Sequence, residues 1–273
     1  MKQDTIWVRI SALALALFIA APLYWMVITS FKSPSMVGVT PPPWLPHPFT
    51  WINYRMSFTY FGFQRYFLNS VIVAVSSTLA VLILGTGAGY ALARLPVRGR
   101  IGIMVALLVI SVFPEIAVIS PLYLLMRLLG WLDTYQGLIV PYTAFNLPFA
   151  IWILRNYFLS IPREMEEVAQ MDGASPLRTL IAIILPQSTP GLFTAAVFTF
   201  TATWTEFLMA LTINSSTGFR TIPVGIALFG AEFTVPYGNI FAASVISIVP
   251  IAAMVLIFRN AIVSGLTQGA VKG

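Results

Sequence analysis

Apolar residues dominate this chain in six runs, at roughly 6–30, 67–92, 101–125, 135–158, 188–213 and 239–263. Each is about as long as the ~20 residues a helix needs to cross hydrocarbon. The pattern predicts an all-α membrane protein of six transmembrane helices forming one domain over 1–273. Two longer interruptions remain: a Pro- and aromatic-rich segment at 31–66, and a polar segment at 160–187 between spans four and five. The first run exceeds the ~7–15-residue core of a signal peptide, and no small-x-small cleavage site follows it before Phe31-Lys32, so it reads as a retained anchor.

Lys and Arg in short loops set the orientation. Arg94, Arg98 and Arg100 crowd the link between spans two and three and place it in the cytosol. Lys2, Arg9, Arg155, Arg163, Arg178, Arg259 and Lys272 then also lie inside, against Lys32, Arg55, Arg65, Arg127 and Arg220 outside. Both termini are expected in the cytosol, and the 31–66 loop outside.

Composition narrows the chemistry. Hydrophobic residues make up 58% of the chain and charged residues 9%, and mean hydropathy is +0.88. A soluble domain is about one-quarter charged. No cysteine is present and His47 is the only histidine, so thiolate sites, zinc catalysis and His-based acid–base chemistry lack parts. The net charge of +6 comes from scattered basic residues rather than the clustered stripe that nucleic-acid binding needs. Pro22, Pro114, Pro121, Pro141, Pro148 and Pro250 interrupt the spans, and each removes a helix hydrogen bond. Gly85 and Gly89 have the spacing that lets helices approach closely in lipid.

The 160–187 segment carries the local chemistry. In Arg163–Asp172, Met165, Val168 and Ala169 share one helical face with Met171 near its edge, while Glu164 and Glu167 face away and Glu166 flanks them. Acidic residues in a first turn suit the helix dipole. Gly173 is placed to end this helix in the left-handed conformation. Ser175 is a good N-cap and Pro176 suits the first position of a second helix. The expectation is a helical hairpin whose knob carries Glu167, Asp172 and Gly173. A surface-bound membrane hairpin is the plainer reading. Such helices usually present Lys and Arg to anionic lipid, however, and carboxylates suit a basic groove on a protein partner.

Written with gaps, Glu167-Val168-Ala169, three residues, Gly173, nine residues, Ile183, one residue, Leu185-Pro186 resembles the EAA motif of ABC importer permeases. Val168 stands where the motif has Ala. Phe67-Leu68-Asn69-Ser70, Trp204-Thr205-Glu206-Phe207 with Ala210-Leu211, and the ending Gly265–Gly273 are similar to the carbohydrate-uptake subfamily, whose maltose-type second permease the chain resembles over its full length. The resemblance implies a binding-protein-dependent importer of a sugar or oligosaccharide. This chain would pair with a second homologous permease, two ATPase subunits and an extracytoplasmic solute-binding protein. The hairpin would be the coupling helix, with Glu166, Glu167, Val168, Ala169, Met171, Asp172, Gly173 and Ser175 as its ATPase-coupling residues. ATP and Mg would bind the partner ATPase, leaving no cofactor, metal or catalytic residue on this chain. No G-x-x-x-x-G-K-[ST] loop occurs in it.

Charged residues at membrane depth are costly and usually functional. Glu115, after Pro114, and Glu206 are the two candidates for the substrate path, with Trp204 to stack on a pyranose and Asn146 and Thr203 for polar contacts. The plainer readings are a boundary role for Glu115 and a structural carboxylate for Glu206. The aromatic 31–66 segment suits an interfacial belt combined with a platform for the binding protein and partner permease. An importer for a non-sugar solute stays open. An ion-coupled secondary transporter would want coupling carboxylates and an inverted repeat, and an intramembrane enzyme a paired nucleophile and base.

Overall fold

The computed structural model describes residues 2–230 and 235–270, with side chains described over 6–230 and 235–259. All regular structure among the described residues is helical. The chain divides into two compact units, residues 1–67 with 222–249, and 68–221 with 250–273.

The first unit opens with α1 (Lys2–Ser30), α2 (Pro34–Val37) and α3 (Ile52–Thr59), and α4 (Phe63–Arg94) begins in it. The second holds most of α4 and then α5 (Arg100–Val112), α6 (Glu115–Leu128), α7 (Gln136–Ser160), α8 (Glu164–Met171) and α9 (Pro176–Thr179). It continues through a π-helical turn at Leu180–Ile184, α10 (Leu185–Gln187), α11 (Thr189–Thr205) and α12 (Leu208–Ile213). α13 (Ile222–Ala227) lies in the first unit, and α14 (Tyr237–Ala270) starts there and ends in the second.

Four stretches are long and apolar enough to span alone: Ile6–Ser30, Phe63–Arg94, Gln136–Ser160 and Tyr237–Arg259. Two bent pairs, Arg100–Val112 with Glu115–Leu128 at 92° and Pro176–Gln187 with Thr189–Thr205 at 81°, raise the count to six where each is taken as one broken span. The third expected span is therefore two helices. Phe113, ahead of Pro114, is extended (φ −68°, ψ 130°), the conformation a following proline imposes. Pro22, Pro121, Pro141, Pro148 and Pro250 instead lie inside helices. The fifth expected span also divides, ending α11 at Thr205 and resuming as α12.

In the first unit, the 31–66 segment folds on itself. Phe31 stacks on Phe49 at 4.4 Å and meets Trp51 and Tyr54 at 4.9 and 5.1 Å. Buried Asn53 donates to the carbonyls of Ser30 and Lys32 at 2.9 and 2.7 Å and accepts from Asn239 at its own carbonyl, at 3.0 Å. Lys32 is buried with its ammonium 3.9 Å from the Trp25 ring centre, a cation–π contact. Burial pulls its pKa below the usual lysine value. Trp44 and Tyr60 stay exposed.

The core of the second unit joins α4, α7, the π turn and α11 through Val81, Tyr90, Leu154, Phe158, Leu180, Ile184 and Ala195. Gly89 lets α7 come close: a Cβ there would sit 3.2 Å from the Arg155 amide nitrogen and 3.3 Å from the Leu154 Cβ. At Gly85 it would lie 3.4 Å from Leu154 Cδ1. This is the small-residue helix contact that the Gly spacing predicts. Gly87 faces open space. Gly89→Val should cost about 1–3 kcal/mol by overpacking, read as a lower melting temperature in detergent, whereas Gly87→Val should shift it by about 0.5 kcal/mol or less.

Candidate functional site

The 160–187 segment forms the expected hairpin, and its turn chemistry is as the sequence predicts. Gly173 has φ +80° and its amide donates to Gln170 O, while the Ala174 amide reaches back to Ala169 O, closing α8. Ser175 caps α9, its hydroxyl accepting from the Arg178 amide at 3.4 Å, with Pro176 in the first turn. A π turn precedes Pro186, and the wider turn eases the clash of a proline ring with the carbonyl four residues back. The Leu185 amide accordingly reaches the carbonyl of Leu180, five back.

The facing of α8 differs from the sequence expectation. Met165, Val168 and Met171 are exposed, Met171 to 79% and Val168 to 53%, so the apolar stripe is not a packed face. Of that face only Ala169 is buried, and Glu166 turns inward beside it. Glu166 there meets Arg94, at the end of α4. Its Nε lies 2.6 Å from Glu166 Oε1 with both side chains more than nine-tenths buried. The N–H is not aligned on that oxygen, so the contact is Coulombic rather than a directed hydrogen bond. Arg94 Nη2 donates to Phe158 O and Ile161 O at 2.6 and 2.5 Å, and the Tyr90 hydroxyl donates to Glu166 Oε2 at 3.4 Å. Glu167, Asp172, Gly173 and Ser175 are exposed at the knob.

The membrane-depth candidates separate. Glu206 sits at the break between α11 and α12, and its carboxylate accepts from the amides of Met209 at 2.7 Å and Ala210 at 3.0 Å and from the Tyr142 hydroxyl. It therefore caps α12. Glu115 is exposed at the first position of α6. Trp204 is only 3% exposed and stacks on Phe200 at 5.2 Å. Thr203 is buried and bonded to the carbonyls of Thr199 and Phe200. Neither is open to a ligand. Asn146 is half-buried, its amide donating to Tyr142 O at 2.8 Å.

One polar network escaped the reading of function. Asn69 donates to Gly218 O and Arg220 O at 3.0 and 2.9 Å and accepts from Tyr135 at 2.9 Å. Asn214 donates to Thr134 O, and Asp133 accepts from the Ser216 amide. Together they tie the 214–220 loop to the starts of α4 and α7. Asn69 stood in the sequence as a family likeness alone, without a partner to suggest this work.

The helices thus define a multi-pass membrane protein carrying a helical hairpin between its fourth and fifth hydrophobic segments. Residues 81–268 match the family described as binding-protein-dependent transport system inner membrane component, more than half of the chain, and the chain belongs to that family. It is 41% identical over 268 residues to the trehalose/maltose transport system permease protein MalG of Thermococcus litoralis, covering 97% of this chain and 95% of the relative. It is 37% identical to the trehalose transport system permease protein SugB of Mycobacterium tuberculosis, covering 100% and 99%. Among solved structures, a chain of a bacterial ABC transporter involved in import of the acidic polysaccharide alginate superimposes with TM-score 0.80 at 24% identity, over 95% of this chain and 98% of that one. That likeness is one of fold.

Glu206→Gln should weaken the α12 cap, because an amide nitrogen replaces one accepting oxygen facing N–H or O–H donors. A loss of about 1–3 kcal/mol is expected in thermal unfolding, with Glu206→Ala at least as severe.

Proposed function

We propose that this chain is the permease subunit of an ATP-driven, binding-protein-dependent importer of a sugar or oligosaccharide. The observation that carries the coupling role is the hairpin knob. It offers exposed carboxylates at Glu167 and Asp172 beside exposed Val168 and Met171, held by a rooted base that includes buried Leu180 and Ile184. An acidic rim around apolar knobs suits a cleft with a basic edge on another protein. ATP and Mg belong to that partner, and the chain's work is to carry its motion into alternating access. A second permease and a solute-binding protein complete the assembly, and both termini and the hairpin face the cytosol. The relatives' named substrates, trehalose and maltose, favour a carbohydrate.

Within the ATPase-coupling set, Glu167, Val168, Met171 and Asp172 are the contact residues. Gly173 and Ser175 shape the turn, while Glu166 and Ala169 act from inside. On the substrate path, exposed Glu115 and half-buried Asn146 are the candidates. Glu206 contributes by holding the break in the fifth hydrophobic segment, and Thr203 and Trp204 by packing behind it.

Tagged chain purified from its native membrane in mild detergent should bring down an ATPase and a second permease. Glu167→Lys should remove the ATPase and keep the permease. Recovery of the chain alone, moving sugar in liposomes without ATP, would overturn the reading. A bulky side chain at Gly173, where φ is +80°, should cost about 1–2 kcal/mol locally and abolish uptake while the six spans stay inserted.

A further inference from the structure

We infer that Arg94 is a positioning residue for transport, pinning the hairpin in the one pose in which it can dock. The inference rests on the coupling role proposed above. Three chain segments meet at this guanidinium. It projects from the end of α4, donates to the carbonyls of Phe158 and Ile161 at the end of α7, and faces Glu166 in the first turn of α8. Those carbonyls belong to a helix end and its exit residue, where few backbone donors remain; Phe158 O also accepts the long contact from the Ile161 amide at 3.3 Å. A planar fork with donors on several sides fits such a junction, and a lysine ammonium does not reproduce it.

The charge geometry argues for position over mere stability. A buried ion pair is weak evidence for stability, since its desolvation offsets its attraction. Its better-attested use is to select one register, and here the selected feature is visible. Turning Glu166 inward forces Met165, Val168 and Met171 outward, against the hydrophobic pattern of the helix. Without Arg94, α8 could roll by about one residue to bury that stripe and hide the knob. A hairpin that visits the docking pose only part of the time binds its partner more weakly by that fraction.

The test uses the whole complex and the full chain. The ATPase that co-purifies with the wild-type chain is titrated back onto stripped complexes carrying Arg94→Gln, Glu166→Gln, both together, or Arg94→Lys. The chain has no cysteine, so nitroxide pairs at Ile83→Cys on α4 and Gln170→Cys on α8, exposed and outside the contact set, report its pose. Arg94→Gln should weaken ATPase binding at least about 5-fold and broaden the label distance. The double variant should be no worse than Arg94→Gln alone, and Arg94→Lys should fall between it and wild type. Leu138→Ala, a core truncation at the far end of α7, should lower the melting temperature without either effect. Unchanged ATPase affinity and label distance in Arg94→Gln, with affinity still lost in Glu167→Lys, would overturn the pin and leave the coupling reading intact. Retained affinity in Glu167→Lys would overturn the coupling reading, and the pin's role in docking with it.

Discussion

Hydrocarbon offers no hydrogen bonds, so each place where this chain leaves a regular helix must be closed by a group of its own. An unsatisfied backbone polar group in lipid costs several kcal/mol. Backbone buried away from water in the loops between spans is bound by the same requirement, and together the two explain where the polar side chains are. Glu206 answers the amides freed at the start of α12. Arg94 answers the carbonyls leaving α7. Asn69 and Asn214 answer carbonyls in the loop at 214–220 and beside it, and Asn53 does the same for Ser30 and Lys32. Most of the polar groups described within the hydrophobic regions are thus spoken for by backbone. Few are left for solute, and exposed Glu115 stands out among them.

The same constraint separates what the sequence discloses from what it hides. Long apolar runs are legible because span length is fixed by bilayer thickness, so four of the six spans appear as continuous helices near the expected limits. Local turn chemistry is equally legible. Gly173, Ser175 and Pro176 act through neighbours in sequence, and all three adopt the expected geometry. The Gly85–Gly89 spacing works because the helix itself sets the register of the contact.

Tertiary partners are hidden. Trp204-Thr205-Glu206-Phe207 holds no Gly or Pro to announce a helix break, and one of the partners that fix Glu206 there, Tyr142, lies 64 residues earlier. Proline misleads in the other direction: five of six lie within continuous helices and only Pro114 marks a break. Helical periodicity alone places Glu166 at the flank and Val168 on a packed face. A buried arginine 72 residues earlier in the chain reverses that assignment, and no pattern within α8 reports it. Trp204 and Thr203 illustrate a related limit, since an aromatic or hydroxyl in a span looks identical whether it faces a path or a core.

These levels converge on the hairpin. Its turn is written locally, its second half is rooted in the core by Leu180 and Ile184, and its facing is imposed by a distant charge. The consequence is an exposed apolar and acidic knob on a chain that otherwise keeps to lipid. The most direct measurement is site-specific photo-cross-linking in the native membrane from a probe at Met171, with the adduct identified by mass spectrometry. A cross-link to an ATPase subunit, formed at Met171 and absent from a probe at exposed Ile83 in the middle of α4, is the result expected. Adducts at Met171 to lipid alone would contradict the account.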